Sequence, residues 1–328
     1  MEETGSGTRI VLAVGILAVL FGAVAAWVNR PLPTPELGVT FSTVYARSLG
    51  EDPDAVFSAL LDNLKVRHFR LPLYWSDIEK SEGKYDWSAY DQLVNAADAH
   101  GASLTIAVGM KVPRWPECFV PDWAETKNPP AFEKSLLAFM SEAVHRYDDH
   151  RSVVRWQVEN EPLFPFGVCD RPDLSRLAHE IELVHGLSDK PIQMTASGEL
   201  ESWALVAVPA DVLGVSMYRT TWNDFWGYSR YPIPPIFYAA RAALVSPFVT
   251  KTVVSEMQAE PWFFAPIDSR PLDAWAAAFT AEDLKDNYVF AARTGLPEAS
   301  LWGAEWWYHL KRNGHPELWD TARELFAR

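Results

Sequence analysis

VVRWQVENEP, residues 153–162, begins as an apolar, partly β-branched run and ends abruptly in Glu159, Asn160 and Glu161. The run reads as a buried strand over Val153–Val158, and the carboxylates at its end mark where a sheet opens to solvent. TVVSEMQAEPW, residues 252–262, repeats the pattern, with a strand over Thr252–Ser255 followed by Glu256. Six further runs of this kind lie at Leu37–Ser42, Val66–Leu71, Leu104–Val108, Ile192–Thr195, Val212–Met217 and Ser300–Gly303. Helical patterns separate them at Asp54–Leu64, Tyr90–His100, Phe132–Tyr147, Leu174–His185 and Ala281–Thr294, the last glycine-stopped like those before Gly101 and Gly186. The fifth and sixth units are the weakest, because little helix follows Ile192–Thr195. Strands alternating with helices and no second linker fit an α/β protein, one (β/α)8 TIM barrel over residues 37–328, better than an open sheet. No Gly-rich phosphate loop follows the first strand, which argues against a dinucleotide fold.

In such a barrel the chemistry sits on the loops after the strands' C-terminal ends. Arg70 ends strand two, Trp115 follows strand three, Asn160 and Glu161 follow strand four, Tyr218 strand six, Glu256 strand seven, and Trp302 through Trp307 strand eight. The loop Arg219–Pro235 is long and rich in aromatics, which marks it as functional rather than disordered. Glu161 and Glu256 then face each other across the mouth, and a pair of carboxyl groups is what cleavage of a glycosidic bond requires. Glu159 points away from Asn160 by strand alternation, and Glu305 lies beyond strand eight, so both rank below that pair.

Composition agrees without deciding. The formal net charge of −14 and the scattered Lys and Arg argue against nucleic acid as a partner. Aromatics make up 13% of the chain, with 15 Trp, a side chain whose flat apolar face and N–H suit a sugar ring. Cys118 and Cys169 have no zinc spacing. Their places after strands three and four put them at neighbouring loops, where a disulfide is expected. Two free thiols are the alternative.

From Ile10 to Val28 runs IVLAVGILAVLFGAVAAWV, uncharged and just long enough for a bilayer core of about 30 Å. The expected organisation is a short segment, 1–9; a transmembrane signal anchor, 10–28; a Pro-rich spacer, 29–36; and the barrel outside the cytoplasm. Ala23-Val24-Ala25 keeps a cleaved signal, and hence a secreted protein, as the alternative. Oligomeric state is left open.

The motif residues together resemble clan A of the glycoside hydrolases. Asn160-Glu161-Pro162 is similar to the clan's acid/base motif at strand four, and Ser255-Glu256 to its strand-seven nucleophile. His68-Phe-Arg-Leu-Pro72 resembles the strand-two segment whose Arg holds the nucleophile, and Ser216-Met-Tyr218 the strand-six Tyr that bonds it. Trp75-Ser-Asp-Ile-Glu79 and Gly83-Lys-Tyr-Asp-Trp87 are similar to its second unit. The resemblance implies a retaining glycosidase acting on β-linked carbohydrate. Glu161 would be the acid/base, Glu256 the nucleophile, Arg70 and Tyr218 its supports and Asn160 the donor to the sugar's 2-hydroxyl. Trp302 would floor the innermost sugar position, with Trp75, Trp115 and Trp306 as further sugar contacts. No metal or organic cofactor is implied. The end of strand three departs from the clan, which often has His or Asn where this chain reads Val108-Gly-Met-Lys-Val-Pro-Arg114.

Two rivals come from other classes. A catalytically silent carbohydrate-binding barrel would keep the fold and the aromatics. A metal-dependent barrel hydrolase needs His at several strand ends, and the 8 His lie mainly in helical segments or remote loops. A transglycosylase shares the first chemical step of the hydrolase.

Overall fold

The computed structural model describes residues 33–169 and 173–328, together with residues 12, 14, 15, 18 and 22. Apart from those five positions, the short segment 1–9 and the anchor expected over 10–28 lie outside the described residues, as does the spacer up to residue 32. Among the described residues no helix is long and apolar enough to cross a membrane.

Thr34–Arg328 is one unit. Its strands, in chain order, are β1 (Glu36–Thr40), β2 (His68–Pro72), β3 (Ser103–Val108), β4 (Val153–Val158), β5 (Ile192–Ala196), β6 (Val212–Met217), β7 (Thr220–Asn223), β8 (Gly227–Arg230), β9 (Lys251–Gln258) and β10 (Glu298–Trp302). Eight of them close into a parallel barrel in the order β1-β10-β9-β6-β5-β4-β3-β2. Buried on both faces, these strands read as nearly continuous apolar runs; β5 and β6 are buried along their whole length.

The ends of the strands differ from expectation in ways that matter. β9 does not stop at Ser255 but runs on to Gln258, so Glu256 lies within the strand. A bulge is the reason. Val215 pairs with Val254 and the next residue, Ser216, with Glu256, so β9 carries the extra residue Ser255 against β6. The register to β10 shifts in the same place, from Ala299–Val254 to Leu301–Met257. A bulge increases local twist and re-aims the following side chains, here Glu256. β10 ends at Trp302 because Gly303 turns to φ 129°, where a Cβ would stand 2.7 Å from that of Glu260.

Two connections also depart from expectation. The aromatic loop Arg219–Pro235 is a β-hairpin, β7 pairing antiparallel with β8. Trp222 stacks on Phe264 at 3.9 Å and meets Tyr228 edge-on, while Phe225 and Trp226 stand out at the turn, 81% and 75% exposed. A helix, Pro235–Val245, follows it; its apolar residues run almost unbroken, so no period marked it. Gly101 and Gly295 do end their helices in left-handed backbone, but Gly186 sits inside the helix Leu174–Leu187. The glycine's cost of about 1 kcal/mol is too small to stop that helix.

The barrel interior is polar at both ends. Arg155 bonds Gln193 at 2.8 Å, Gln193 bonds Gln157 at 3.0 Å, and Gln157 accepts from Arg70 at 2.7 Å, a ladder running from the N-terminal end toward the mouth. Gly198, just past β5, is required by packing: its Cβ would meet the Ser216 carbonyl oxygen at 1.8 Å, a backbone atom that no rotamer change can move. Gly198→Ala should therefore destabilise the barrel by about 1–3 kcal/mol. The check is the urea midpoint at constant m; an unchanged midpoint would contradict this packing.

Candidate active site

Arg70 reaches the barrel axis from β2 and is 2% exposed. A buried guanidinium must be fully paired, and this one finds acceptors on three elements. It donates to Gln157 at 2.7 Å, to Glu256 Oε1 at 2.8 Å, to Asn160 Oδ1 at 2.5 Å and to the carbonyl of Ser255 at 3.4 Å. The Arg fork thus fixes both the bulge on β9 and the end of β4. The other oxygen of Glu256, Oε2, accepts from the Tyr218 hydroxyl at 3.0 Å. Burial and the charge of Glu256 hold the phenol proton well above its ordinary range, so Tyr218 is a permanent donor.

Glu161 stands in a different setting. Its backbone takes φ 43°, a left-handed conformation that a non-Gly residue adopts only when the surroundings impose it. They do: its N–H donates to Thr195 Oγ1 at 2.8 Å and its carbonyl accepts from Lys111 Nζ at 2.9 Å. The carboxyl is buried, and its Oε1 has no hydrogen-bond partner within the protein. Burial pushes its proton affinity well up, and the charges of Glu256 and Glu117 push it further; the Ser216 hydroxyl and Lys111 pull the other way. One carboxyl is therefore ion-paired while the other is pushed toward its protonated form, the division of roles that acid–nucleophile chemistry needs.

The remaining expected residues divide. Asn160 is fully buried, with Oδ1 held by Arg70 and Thr195 and Nδ2 donating to Glu117 Oε1 at 3.3 Å. Trp302, 7% exposed, lies beside Tyr218 with the Arg114 guanidinium 4.3 Å above its ring. Trp115 is 62% exposed and meets Phe166 edge-on at the rim. Trp75 and Trp306 are not sugar contacts. Trp75 is fully buried against Trp123, Phe132 and Phe139, its Nε1 bonded to Glu79, and Trp306 is fully buried against Phe263 and His309. Both serve helix packing, a use that Trp spacing alone does not separate from binding. Glu159 turns aside to accept the amides of Met110 and Lys111, so it braces the loop after β3.

That loop holds what the sequence reading missed. Arg114 packs over the Tyr45 ring at 3.6 Å and pairs with Glu260, with Glu305 at 3.6 Å on its other side. Burial pushes Glu305 up to about 7 against the pull of Arg114. Glu117 lies beside Lys111 and Asn160, 5% exposed. The signal was available, since charged residues among prolines directly after a barrel strand obey the same positional rule as Glu161. Among the described residues no group of three or more His, Cys, Asp or Glu could hold a metal ion.

Cys118 and Cys169 are joined by a disulfide, Cα–Cα 5.4 Å, which ties the loop after β3 to the loop after β4. Gly167 packs against Pro116 and Glu117 beside it.

The family model for Glycosyl hydrolase family 10 matches residues 72–174, the part of the chain that carries β3, β4 and Glu161. No curated protein matches. Among solved structures, GH5_18 from Streptomyces cattleya in complex with GlcNAc aligns with TM-score 0.55 at 14% identity, over 83% of this chain and 71% of that one. An intracellular xylanase from Thermoanaerobacterium saccharolyticum aligns with TM-score 0.52 at 15% identity, over 84% and 90%. A β-galactosidase from Bacillus circulans sp. alkalophilus aligns with TM-score 0.60 at 11% identity, over 90% of this chain but only 56% of its own length. The solved structures share the barrel fold with this chain, and the family-model match over residues 72–174 agrees with the resemblance read from the sequence.

The disulfide closes a separation of 51 residues. Replacing Cys118 and Cys169 together by Ser should cost about 2–4 kcal/mol of stability. Denaturation of the oxidised wild type, the reduced wild type and the double variant tests this; equal stability of all three would contradict it.

Proposed function

We propose that this chain is a retaining glycoside hydrolase that cleaves β-glycosidic bonds of a poly- or oligosaccharide by double displacement. The observation that carries the reading is the asymmetry of the two carboxyls. Glu256 is held by Arg70 and Tyr218, while Glu161 is buried, unpartnered at one oxygen and pushed toward its protonated form.

In the first step a Glu256 oxygen attacks the anomeric carbon while the bond to the leaving oxygen breaks. Glu161 gives its proton to that oxygen. The product is a covalent glycosyl ester on Glu256 and a free alcohol. In the second step Glu161, now ionised, removes a proton from water as the water oxygen displaces the ester, and both carboxyls return to their starting states. Arg70 lowers the energy of the departing carboxylate, and the free Nδ2 proton of Asn160 is available to the sugar's 2-hydroxyl. A retaining pair stands about 5–5.5 Å apart, too close for an intervening water.

Carbohydrate as substrate is supported by the similar structures, which include a xylanase, a β-galactosidase and an exo-β-1,4-mannosidase and so differ in the sugar they act on. A sugar acceptor in place of water would give a transglycosylase from the same intermediate. The disulfide supports an oxidising compartment, hence a domain outside the cytoplasm, as expected of an anchored or secreted protein.

The test is a β-linked polysaccharide panel read for reducing ends, followed by two variants. Glu256→Ala should lose activity on every substrate and regain part of it with azide, giving a glycosyl azide of inverted configuration. Glu161→Ala should still react with substrates bearing good leaving groups, and azide should then give the retained product. Binding without turnover in the wild type would favour the silent carbohydrate-binding barrel.

A further inference from the structure

Glu117 is the group in this site that neither chemical step uses. It follows β3 on the loop Gly109–Cys118 and takes φ 71°, a left-handed conformation that a Glu adopts only under constraint. The constraint is visible on both sides. The Glu117 N–H donates to the Arg114 carbonyl at 2.7 Å, its own carbonyl accepts from Val112 at 2.9 Å, and the next residue is tied by the disulfide. The side chain is thereby driven into the mouth. Oε1 accepts from the Nδ2 of Asn160, and Oε2 lies 3.6 Å from Lys111 Nζ with no hydrogen bond. Lys111 also donates to the carbonyls of Glu161 and Phe164, and its charge lowers the proton affinity of Glu117 against the larger effect of burial.

We propose that Glu117 is a positioning residue of this site, which orients the Asn160 amide and, through its charge, keeps the proton on Glu161 as the pH rises. The inference rests on the acid role given to Glu161 above. The groups facing that acid are Glu256 from β9, the Ser216 hydroxyl from β6, and Lys111 and Glu117 from the loop after β3. Those facing Glu117 are Lys111, Asn160, Arg70 and Glu256. Three carboxyls thus share the mouth with two nearby cations, Arg70 and Lys111. Arg70 is committed to Glu256. Burial pushes Glu117 up to about 8, and a charge formed there raises the proton affinity of Glu161. The sign is fixed: removing the Glu117 charge lets Glu161 ionise at lower pH, so the alkaline limb of kcat/KM moves down.

Glu117→Gln keeps the acceptor for Asn160 and removes the charge; Glu117→Asp keeps the charge and shortens the reach to Asn160. Gln should move the alkaline limb down by roughly one unit with KM little changed. Asp should leave the limb in place and raise KM. The pH titration of the Glu161 side-chain carboxyl, followed by carbon-13 NMR in wild type and Glu117→Gln, reads the same shift without any substrate. Coincident titrations in those two proteins, or a limb that moves equally in the Asp and Gln variants, would overturn the proposal. A wild type that hydrolyses no glycan would defeat the proposed function, while the NMR titration would still decide the coupling.

Discussion

A single buried guanidinium organises this protein. Taking a charge out of water costs several kcal/mol even after relaxation, and the cost is offset only when its donors find well-placed acceptors. Each of the three nitrogens of Arg70, reaching in from β2, has an acceptor on β4, on the loop after β4 or on β9. The barrel closes around it, and the ladder through Gln157, Gln193 and Arg155 extends its reach to the far end. Glu256 is consequently a structural partner as well as the proposed nucleophile. Truncating either member strands the other charge, the kind of loss that costs about 3–5 kcal/mol.

The same constraint separates the two carboxyls chemically. Two Glu near one another cannot both ionise cheaply, and only one has been given a cation at hydrogen-bond distance. Lys111, the nearest alternative, bonds the backbone of Glu161 rather than its carboxyl, so it fixes the left-handed turn of that residue without neutralising its side chain. The disulfide and the packing of Gly167 on Pro116 add a second clamp on the same two loops. Positioning in this mouth is thus carried by backbone-level ties.

Much of this was legible in the sequence, for physical reasons that also mark its limits. Parallel strands buried on both faces must be apolar and short, so all eight barrel strands stood out. The rule that chemistry follows barrel strands located Glu161, Glu256, Arg70, Asn160 and Tyr218, which the fold brings together. Trp75 and Trp306 misled because an indole serves core and sugar equally, and only burial distinguishes the two uses. The bulge at Ser255 was invisible because it is a matter of register between chains far apart in sequence. Arg114 and Glu117 escaped notice because an irregular, proline-rich loop has no period from which a side chain's direction can be read. The hairpin β7–β8 was concealed for a related reason, its aromatic residues suggesting a surface loop rather than a paired ribbon.

The central claim is that Glu256 attacks and Glu161 manages the proton, and the stereochemistry of the first-formed product tests it most directly. Proton NMR of the anomeric signal in the first minutes of hydrolysis, before mutarotation, should reveal the β-anomer from a β-linked substrate. An α-anomer appearing first would mean direct attack by water, and would contradict the assignment of Glu256 as nucleophile.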